Sequence, residues 1–256
     1  MKAYVAKPYI GITGVTDRHQ VEVLLKSAEE LGWPDSHQLM IGALVSYKGL
    51  TLGAASNINR YISPDSLDRV FVGSKMALNL AHYNSRAAGL CAQLETILKP
   101  CKYADGVQLN VDWPRPDQLE RLRERMFTRV VLQVSRRAYA SVGQSPAALG
   151  RKLQDYCGVV DSVLFDPSGG QGVELDVDRS KEILEALTDS GLPMSWGLAG
   201  GLSADNIAIL GPLLEIYPEL SWDAESALRD EHDQLDLKKC LGFLTASAAL
   251  LRQTKG

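Results

Sequence analysis

The sequence predicts a single α/β domain, residues 1–256, folded as a (β/α)8 or TIM barrel. Short apolar runs alternate with amphipathic segments at a spacing of roughly 30 residues, which is typical of βα units around a parallel sheet. The candidate strands and helices follow one another in strict order, and no linker or change in composition divides the chain. Periodicity alone leaves an open, doubly wound sheet as the alternative fold.

The predicted strands are the short apolar runs between the amphipathic segments. In chain order they are AYVAKPYIGITG, HQLMIGALVS, KMALNLAHYN, ADGVQLNV, RVVLQVS, VDSVLFDPS, PMSWGLAGG and LSWDAES. Eight strands in this order favour the closed barrel over the open sheet.

The predicted helices carry apolar residues at helical spacing. In DRHQVEVLLKSAEELG the apolar stripe is Val21, Leu24, Leu25, Ala28 and Leu31. The same pattern recurs in PDQLERLRERM, SPAALGRKLQDYCG, DRSKEILEALTDSG, SADNIAILGPLLEIY and LDLKKCLGFLTASAALLRQ. Several of these begin with a Ser or Asp that suits a helix N-cap, and two end at a glycine. The irregular stretch SYKGLTLGAASNINRYISP follows the second strand, and a loop of that length is usually functional or mobile.

Composition narrows the classes of function. The formal net charge of -4 argues against extended nucleic-acid binding, although a local basic pocket for a small anion remains compatible with it. No apolar run approaches the ~18–20 residues that span a bilayer. Lys7 and Pro8 interrupt the short apolar segment near the N-terminus, so no signal-peptide core is expected.

The cysteines indicate neither a zinc site nor a disulfide framework. Cys91, Cys101, Cys157 and Cys240 are scattered, with no C-x-x-C spacing. The simplest interpretation is a cytoplasmic protein whose thiols are reduced.

The stretch VLFDPSGGQGVELD is the first candidate for a catalytic segment. Its apolar run ends in Asp166 and is followed by Gly169, Gly170 and Gly172. Because barrel active sites form at the carboxyl ends of the strands, we expect Asp166 to face the barrel mouth. The glycines can adopt positive φ and expose N–H groups to a ligand. The alternative is that Asp166 only caps a turn and the glycines only make a bend.

The loops after the seventh and eighth strands are candidates for a phosphate site. GLAGGLSADNI offers Gly200 and Gly201 for close backbone approach, with Ser203 as a cap for the next helix, and DAESALRD follows the eighth strand. Helix N-termini and glycine turns suit phosphate because their unpaired N–H groups point at it. In barrels these two loops frequently hold a phosphate group.

Motifs along nearly the whole chain resemble phosphoribosylanthranilate isomerase of tryptophan biosynthesis. The segment Ile10-Gly-Ile-Thr13 resembles the family's K-I-C-G-I-T, and Arg60-Tyr-Ile-Ser-Pro64 resembles S-P-R-Y-I-S-P. Gly106-Val-Gln-Leu-Asn110 is similar to G-V-Q-L-H, and Leu198-Ala-Gly-Gly-Leu202 with Asn206 to L-A-G-G-L-x-x-x-N-V. Asp166 with its glycines resembles L-D-S and G-G-T-G, while Asp223 and Ser226 loosely follow D-V-S-S-G-V-E.

The resemblance implies an Amadori rearrangement, in which an N-ribosyl amine opens and becomes an aminoketose. A general acid protonates the ring oxygen and a general base removes the proton from C2. It further implies Asp166 as the acid. The sequence shows no metal cluster or nucleotide fingerprint, so no cofactor or metal is expected. Substrate contacts are implied for Arg60, Gln108 and Asn110, and phosphate contacts for Gly169, Gly170, Gly200, Gly201 and Ser226.

The family's base is the cysteine of K-I-C-G-I-T, and this chain has Ile10 at that position. Groups near strand ends that could replace it are His82, Asp112 and Glu225. We select His82, since it is the one histidine predicted at the carboxyl end of a strand and its ordinary pKa suits proton abstraction near neutrality. Two further departures are Asn110 in place of a histidine and Arg229 in place of a glutamate.

Three functional hypotheses follow. The first is a barrel that binds and isomerises a small phosphorylated, carboxylated metabolite, acting as a monomer or homodimer without nucleic-acid or membrane partners. The second is a catalytically silent relative that binds or regulates through the same anion sites. The third is a related barrel with a different reaction, using Glu225 or Asp112.

Overall fold

The computed structural model describes residues 6–53, 57–85, 88–166 and 175–254. Within them, parallel strands form a closed barrel in which each strand pairs with its neighbour in sequence. The strands are β1 (Tyr9–Thr13), β2 (Gln38–Ser46), β3 (Ala77–Asn84), β4 (Gly106–Leu109), β5 (Arg129–Ser135), β6 (Ser162–Asp166), β7 (Ser195–Ala199) and β8 (Ser221–Ala224).

The pairing of β1 with β8 decides between the two predicted folds. Ile10 lies opposite Trp222 and Ile12 opposite Ala224, in parallel register. An open sheet would leave these two strands as edges. The closed barrel is therefore confirmed, and each predicted apolar run contains one of its strands.

Helices follow the strands and cover the outside of the barrel. They are α1 (Arg18–Glu30), α2 (Tyr47–Leu52), α3 (Leu67–Val70), α4 (Leu90–Leu98), α5 (Pro116–Arg125), α6 (Arg136–Ser141), α7 (Pro146–Leu153), α8 (Val177–Asp189), α9 (Gly211–Ile216) and α10 (Leu237–Gln253). Asp17, Asp176 and Asp236 cap α1, α8 and α10 by accepting a main-chain N–H from the first turn. Their side chains satisfy donors that a helix start leaves unpaired.

The helical segments differ from the prediction in several places, among them the short helix α6, which was not predicted. The predicted helix over 203–217 is a 3-10 helix, Ile207–Leu210, followed by the short α9. Pro212 lies in the first turn of α9 and has no N–H to continue a longer helix from the preceding turn. The long irregular stretch after β2 contains α2, which Ser46 caps and which ends at Gly53 with φ of 70°.

The apolar residues form two separate packed clusters. The larger one lies between strands and helices, where Ile10 and Ile12 of β1 are grouped with Val21 and Leu24 of α1. The smaller one fills the barrel interior and comprises Tyr9, Met40, Leu78, Leu80, Val131, Leu164 and Ala199. Successive side chains of a strand point to opposite faces, so the odd-numbered residues of β1 face the interior and the even-numbered ones face the helices.

No helix of the described residues is both long enough and apolar enough to cross a bilayer.

Candidate functional site

Polar side chains line the barrel interior above the apolar cluster, at the carboxyl ends of the strands. Thr13, His82, Gln108, Gln133, Asp166 and Asp223 are each at most 6% exposed. A pocket opens above them, lined by His82, Gln108, Gln133, Leu164, Asp166, Ala199, Gly200, Gly201, Leu202, Asp223, Ala224, Glu225, Ser226 and Ala227. The lining comes from β3 to β8, which matches the usual place of a barrel active site.

Asp166 is the last residue of β6 and lines this pocket. The Nε2 of Gln133, on the neighbouring β5, donates to its Oδ2 at 2.7 Å. Gln133 Oε1 has no hydrogen-bond partner among the described residues. The amide therefore orients the Asp166 carboxyl and keeps a free acceptor beside it.

Asp223 is a second buried carboxyl in the pocket, on β8. Both of its oxygens accept from Thr13 Oγ1 at 3.0 Å, and Oδ2 also accepts from Gln108 Nε2 at 3.0 Å. Burial raises the pKa of Asp223 to about 7, against the opposing effect of the hydrogen bonds from Gln108 and Thr13. Nearby Glu225 and Asp166 raise it further. Near neutral pH this carboxyl can therefore either give or take a proton.

His82 lines the same pocket from β3. Burial lowers its pKa to about 4, with Asp166 opposing the shift and Arg60 adding to it. The ring is thus neutral at physiological pH. Its Nδ1 is buried without a hydrogen-bond partner among the described residues.

Ile10 does not face the pocket. It is fully buried in the cluster between β1 and the helices, while Thr13 and the Gly11 position point inward. A Cβ built on Gly11 would meet Met40 Cε at 2.5 Å and Asp223 Oδ1 at 2.6 Å. The side chain at position 10 therefore faces the helices, away from the pocket.

The predicted phosphate-binding residues fall into two groups. Gly200 and Gly201 follow β7, line the pocket and have φ of 135° and 57°. Asn206 holds their turn, since its Nδ2 donates to Gly201 O at 2.9 Å and its Oδ1 accepts from Ser203 N at 2.8 Å. Ser226 also lines the pocket, whereas Gly169 and Gly170 lie outside the described residues.

Arg60 lies beside the pocket, with carboxylates on both edges of its guanidinium. Its Nε and Nη2 donate to Asp233, with Nη2 to Oδ1 at 2.7 Å, and its Nη1 is 3.3 Å from Glu225 Oε1. The side chain predicted to bind a substrate carboxylate therefore already holds two carboxylates of the protein. Arg60 has a raised pKa, because the hydrogen bond to Asp233 and the charge of Glu225 outweigh burial.

Arg229 is buried behind this pair. Its Nη1 donates to the main-chain oxygens of Asp233 at 2.8 Å and Asn59 at 3.3 Å. Its Nη2 has no partner among the described residues and lies 2.0 Å from the position of a Cβ on Gly14, whose φ of 113° also disfavours a side chain there. Burial lowers the pKa of this guanidinium.

The other candidate residues lie outside the pocket lining. Asn110, one residue beyond β4, is half-buried, and its N–H donates to Tyr83 O at 3.0 Å. Asp112 accepts from Ser135 Oγ at 2.7 Å and pairs with Arg137. Asp112 thus joins the loop after β4 to the end of β5 and the start of α6.

Sequence reasoning did not select Thr13, Gln133 or Asp223 as site residues. Each is a polar residue in or at the end of a predicted apolar strand, and that pattern is the available signal. Asp223 in particular lies two residues after Ser221 on β8, and Glu225 follows two residues later, just beyond the end of the strand. Polar residues at every second position near a strand's carboxyl end face the same side of the sheet.

Comparisons with known proteins are informative for the fold. No protein-family model matches the sequence, and no curated protein matches it. Among solved structures, phosphoribosyl anthranilate isomerase from Thermus thermophilus aligns with a TM-score of 0.65 and 16% identity over 94% of this chain and 99% of its own. Monomers of the dimeric phosphoribosylanthranilate isomerase from Thermotoga maritima align with a TM-score of 0.59 and 14% identity, over 94% and 98%. At these identities the chain shares their fold.

Proposed function

We propose that this barrel is an isomerase of small phosphorylated, carboxylated metabolites that catalyses an Amadori-type aldose-to-ketose rearrangement. The observation that carries the proposal is the pocket itself, where Asp166, Asp223 and a neutral His82 line one cavity at the carboxyl ends of the strands. Acid–base isomerisation needs one group that gives a proton and one that takes it, and Asp223, with a pKa raised to about 7, can do either. The shared fold with structures named phosphoribosylanthranilate isomerase supports the same reaction class.

In the proposed reaction Asp166 protonates the ring oxygen of an N-glycosyl amine, the C1–O bond breaks, and C1 and nitrogen form an iminium. A base then removes the C2 proton, and the resulting enolamine tautomerises to the ketone. Asp223, with a pKa near 7, suits the base better than His82, whose pKa near 4 makes its ring a weak base. His82 is assigned a hydrogen bond to a substrate hydroxyl.

Binding of the phosphate group is assigned to main-chain N–H groups at Gly200, Gly201 and Ser226, together with Gly169 and Gly170. A glycine at 200 and 201 leaves no Cβ between the main chain and a ligand, and Asn206 holds the turn. Gln108 is assigned a substrate contact, since its Oε1 lacks a partner among the described residues. Arg60 is assigned the substrate's carboxylate, and Asn110 a contact at the rim.

A direct assay tests the reaction. We expect purified protein to convert freshly made phosphoribosylanthranilate, and Asp166→Asn and Asp223→Asn each to lower kcat by about 100-fold or more. His82→Gln, in the same pocket, serves as the comparison and is expected to lose less than either. Full activity of Asp223→Asn would return the role of base to His82.

Absence of turnover in folded wild-type protein would reject the isomerase assignment. It would favour the hypothesis of a catalytically silent, anion-binding relative. The ion pairs of Arg60 with Asp233 and Glu225 support that hypothesis. Calorimetric titration with ribose 5-phosphate then tests the silent-relative hypothesis, because such a relative retains phosphate binding.

A further inference from the structure

The two carboxylates on Arg60 are held in different ways. Asp233 accepts from Nε and Nη2 of Arg60 and also from Asn57 Nδ2 at 2.8 Å. Glu225 makes one contact, at 3.3 Å, to Nη1. An ion pair with two short hydrogen bonds is stronger than one with a single long contact. Glu225 is therefore the more easily displaced of the two carboxylates.

Their positions relative to the pocket also differ. Glu225 belongs to the pocket lining, whereas Asp233 lies outside that lining, in the loop that follows β8. A ligand in the pocket can therefore reach Arg60 along the edge that Glu225 now occupies. The edge that Asp233 occupies stays closed to it.

We propose that Glu225 determines the specificity of this pocket by competing with a ligand's carboxylate for Nη1 of Arg60. This inference rests on the proposed function, since it concerns the carboxylate of the same ligand. An incoming carboxylate replaces that of Glu225 on the guanidinium, and Glu225 turns toward solvent. Ligands without a carboxylate enter with the Arg60–Glu225 pair intact.

The surrounding charges make the exchange costly while Glu225 is present. Asp166, Asp223 and Glu225 already line the pocket, and another carboxylate adds to this repulsion. Arg229 lies nearby, but Asp233 is close to its Nε, at 3.7 Å, and offsets its charge. Removing the charge of Glu225 weakens its hold on Nη1 of Arg60 and reduces the repulsion.

The test uses anthranilate as the carboxylate probe and ribose 5-phosphate as the phosphate probe, each titrated calorimetrically. We expect Glu225→Gln to bind anthranilate at least about tenfold more tightly than wild type. The matched control is Asp233→Asn, which neutralises the other carboxylate on the same guanidinium and is expected to bring no gain. Adding Arg60→Met to Glu225→Gln should abolish the gain.

The outcomes separate this inference from the proposed function. Ribose 5-phosphate binding with no anthranilate gain in Glu225→Gln overturns the role of Glu225 alone. Failure of wild type and all variants to bind ribose 5-phosphate overturns the phosphate assignment, while the anthranilate titrations still decide the role of Glu225. An equal gain in anthranilate affinity in Asp233→Asn also overturns the role of Glu225, because loss of any nearby negative charge would then explain the tighter binding. Glu225→Ser, which removes both charge and reach, replaces Glu225→Gln if that variant fails to fold.

Discussion

Asp223 and His82 share one pocket, yet burial moves their pKa values in opposite directions. It raises the pKa of Asp223 to about 7 and lowers that of His82 to about 4, because in each case it disfavours the charged form. At neutral pH the histidine is uncharged and the aspartate is partly protonated. The pocket therefore carries less charge than its residue types suggest.

The shifted pKa of Asp223 predicts a pH-dependent stability. Because the folded-state pKa lies above the ordinary value of 3.8, its contribution is fully present below pH 3.8 and is lost as pH rises through about 7. A shift of this size corresponds to about 4 kcal/mol at most. We expect Asp223→Asn to be more stable than wild type by about 1–3 kcal/mol at about pH 8, measured by urea unfolding.

The control for this prediction is the same pair of proteins at about pH 4, where the advantage of the variant should shrink toward zero or reverse. His82 is present in both proteins, so its own titration cancels in the difference. A difference that is the same at both pH values would show that packing, not titration of Asp223, separates the two proteins.

At the scale of elements, two glycines predict opposite effects of the same substitution. A Cβ on Gly106, at the start of β4, would lie 1.9 Å from the main-chain oxygen of Arg129 on β5. Strand backbone cannot move aside without disturbing the register of the barrel. We expect Gly106→Ala to lower the free energy of unfolding by about 3 kcal/mol or more.

Gly242 in α10 is the matched control. Its Cβ would meet Ala204 Cβ at 3.5 Å, an ordinary contact, and alanine favours a helix over glycine. We expect Gly242→Ala to raise the free energy of unfolding by about 0.5–1 kcal/mol. Equal effects of the two substitutions in chemical denaturation would contradict the close approach of β4 and β5.

At the scale of the whole molecule, two distant segments are joined over the mouth of the barrel. They are the second-loop segment (57–63) and the eighth-loop segment (225–236). Asn57 and Arg60 donate to the Asp233 carboxylate, and Asn59 Nδ2 donates to His232 O at 2.9 Å. These contacts position Arg60, and with it Glu225, at the pocket.

The contacts between these two segments predict that Arg60 and Asp233 are energetically coupled. The Arg60 and Asp233 side chains are 26% and 36% exposed, so solvent screens their pair. We expect a double-mutant cycle with Arg60→Met and Asp233→Asn to give a coupling of about 1 kcal/mol in the free energy of unfolding. A coupling below about 0.3 kcal/mol would mean that the two segments do not hold each other in solution.

Much of the architecture could be predicted from the sequence. Parallel strands of a barrel are buried on both faces, so each one is a continuous apolar run in the sequence. Such a run can be recognised without knowing which strands pair with it. Residues near the ends of those runs, such as Asp166 and His82, could be assigned to the mouth for the same reason, whereas Gln108 was assigned through the family resemblance alone. Short helices such as α2 and α6 were not predicted, because six residues are too few for helical periodicity to show.

The sequence by itself determined the order of strands and helices and which end of the barrel carries the polar residues, because both follow from local hydrophobic patterns. The tertiary structure alone decided which way each side chain points and what it meets. It turned Ile10 toward the helices, joined Thr13 and Gln108 to Asp223, and closed Asp233 onto Arg60. These features depend on contacts between residues far apart in the chain and on burial, which changes a pKa only when the barrel has closed.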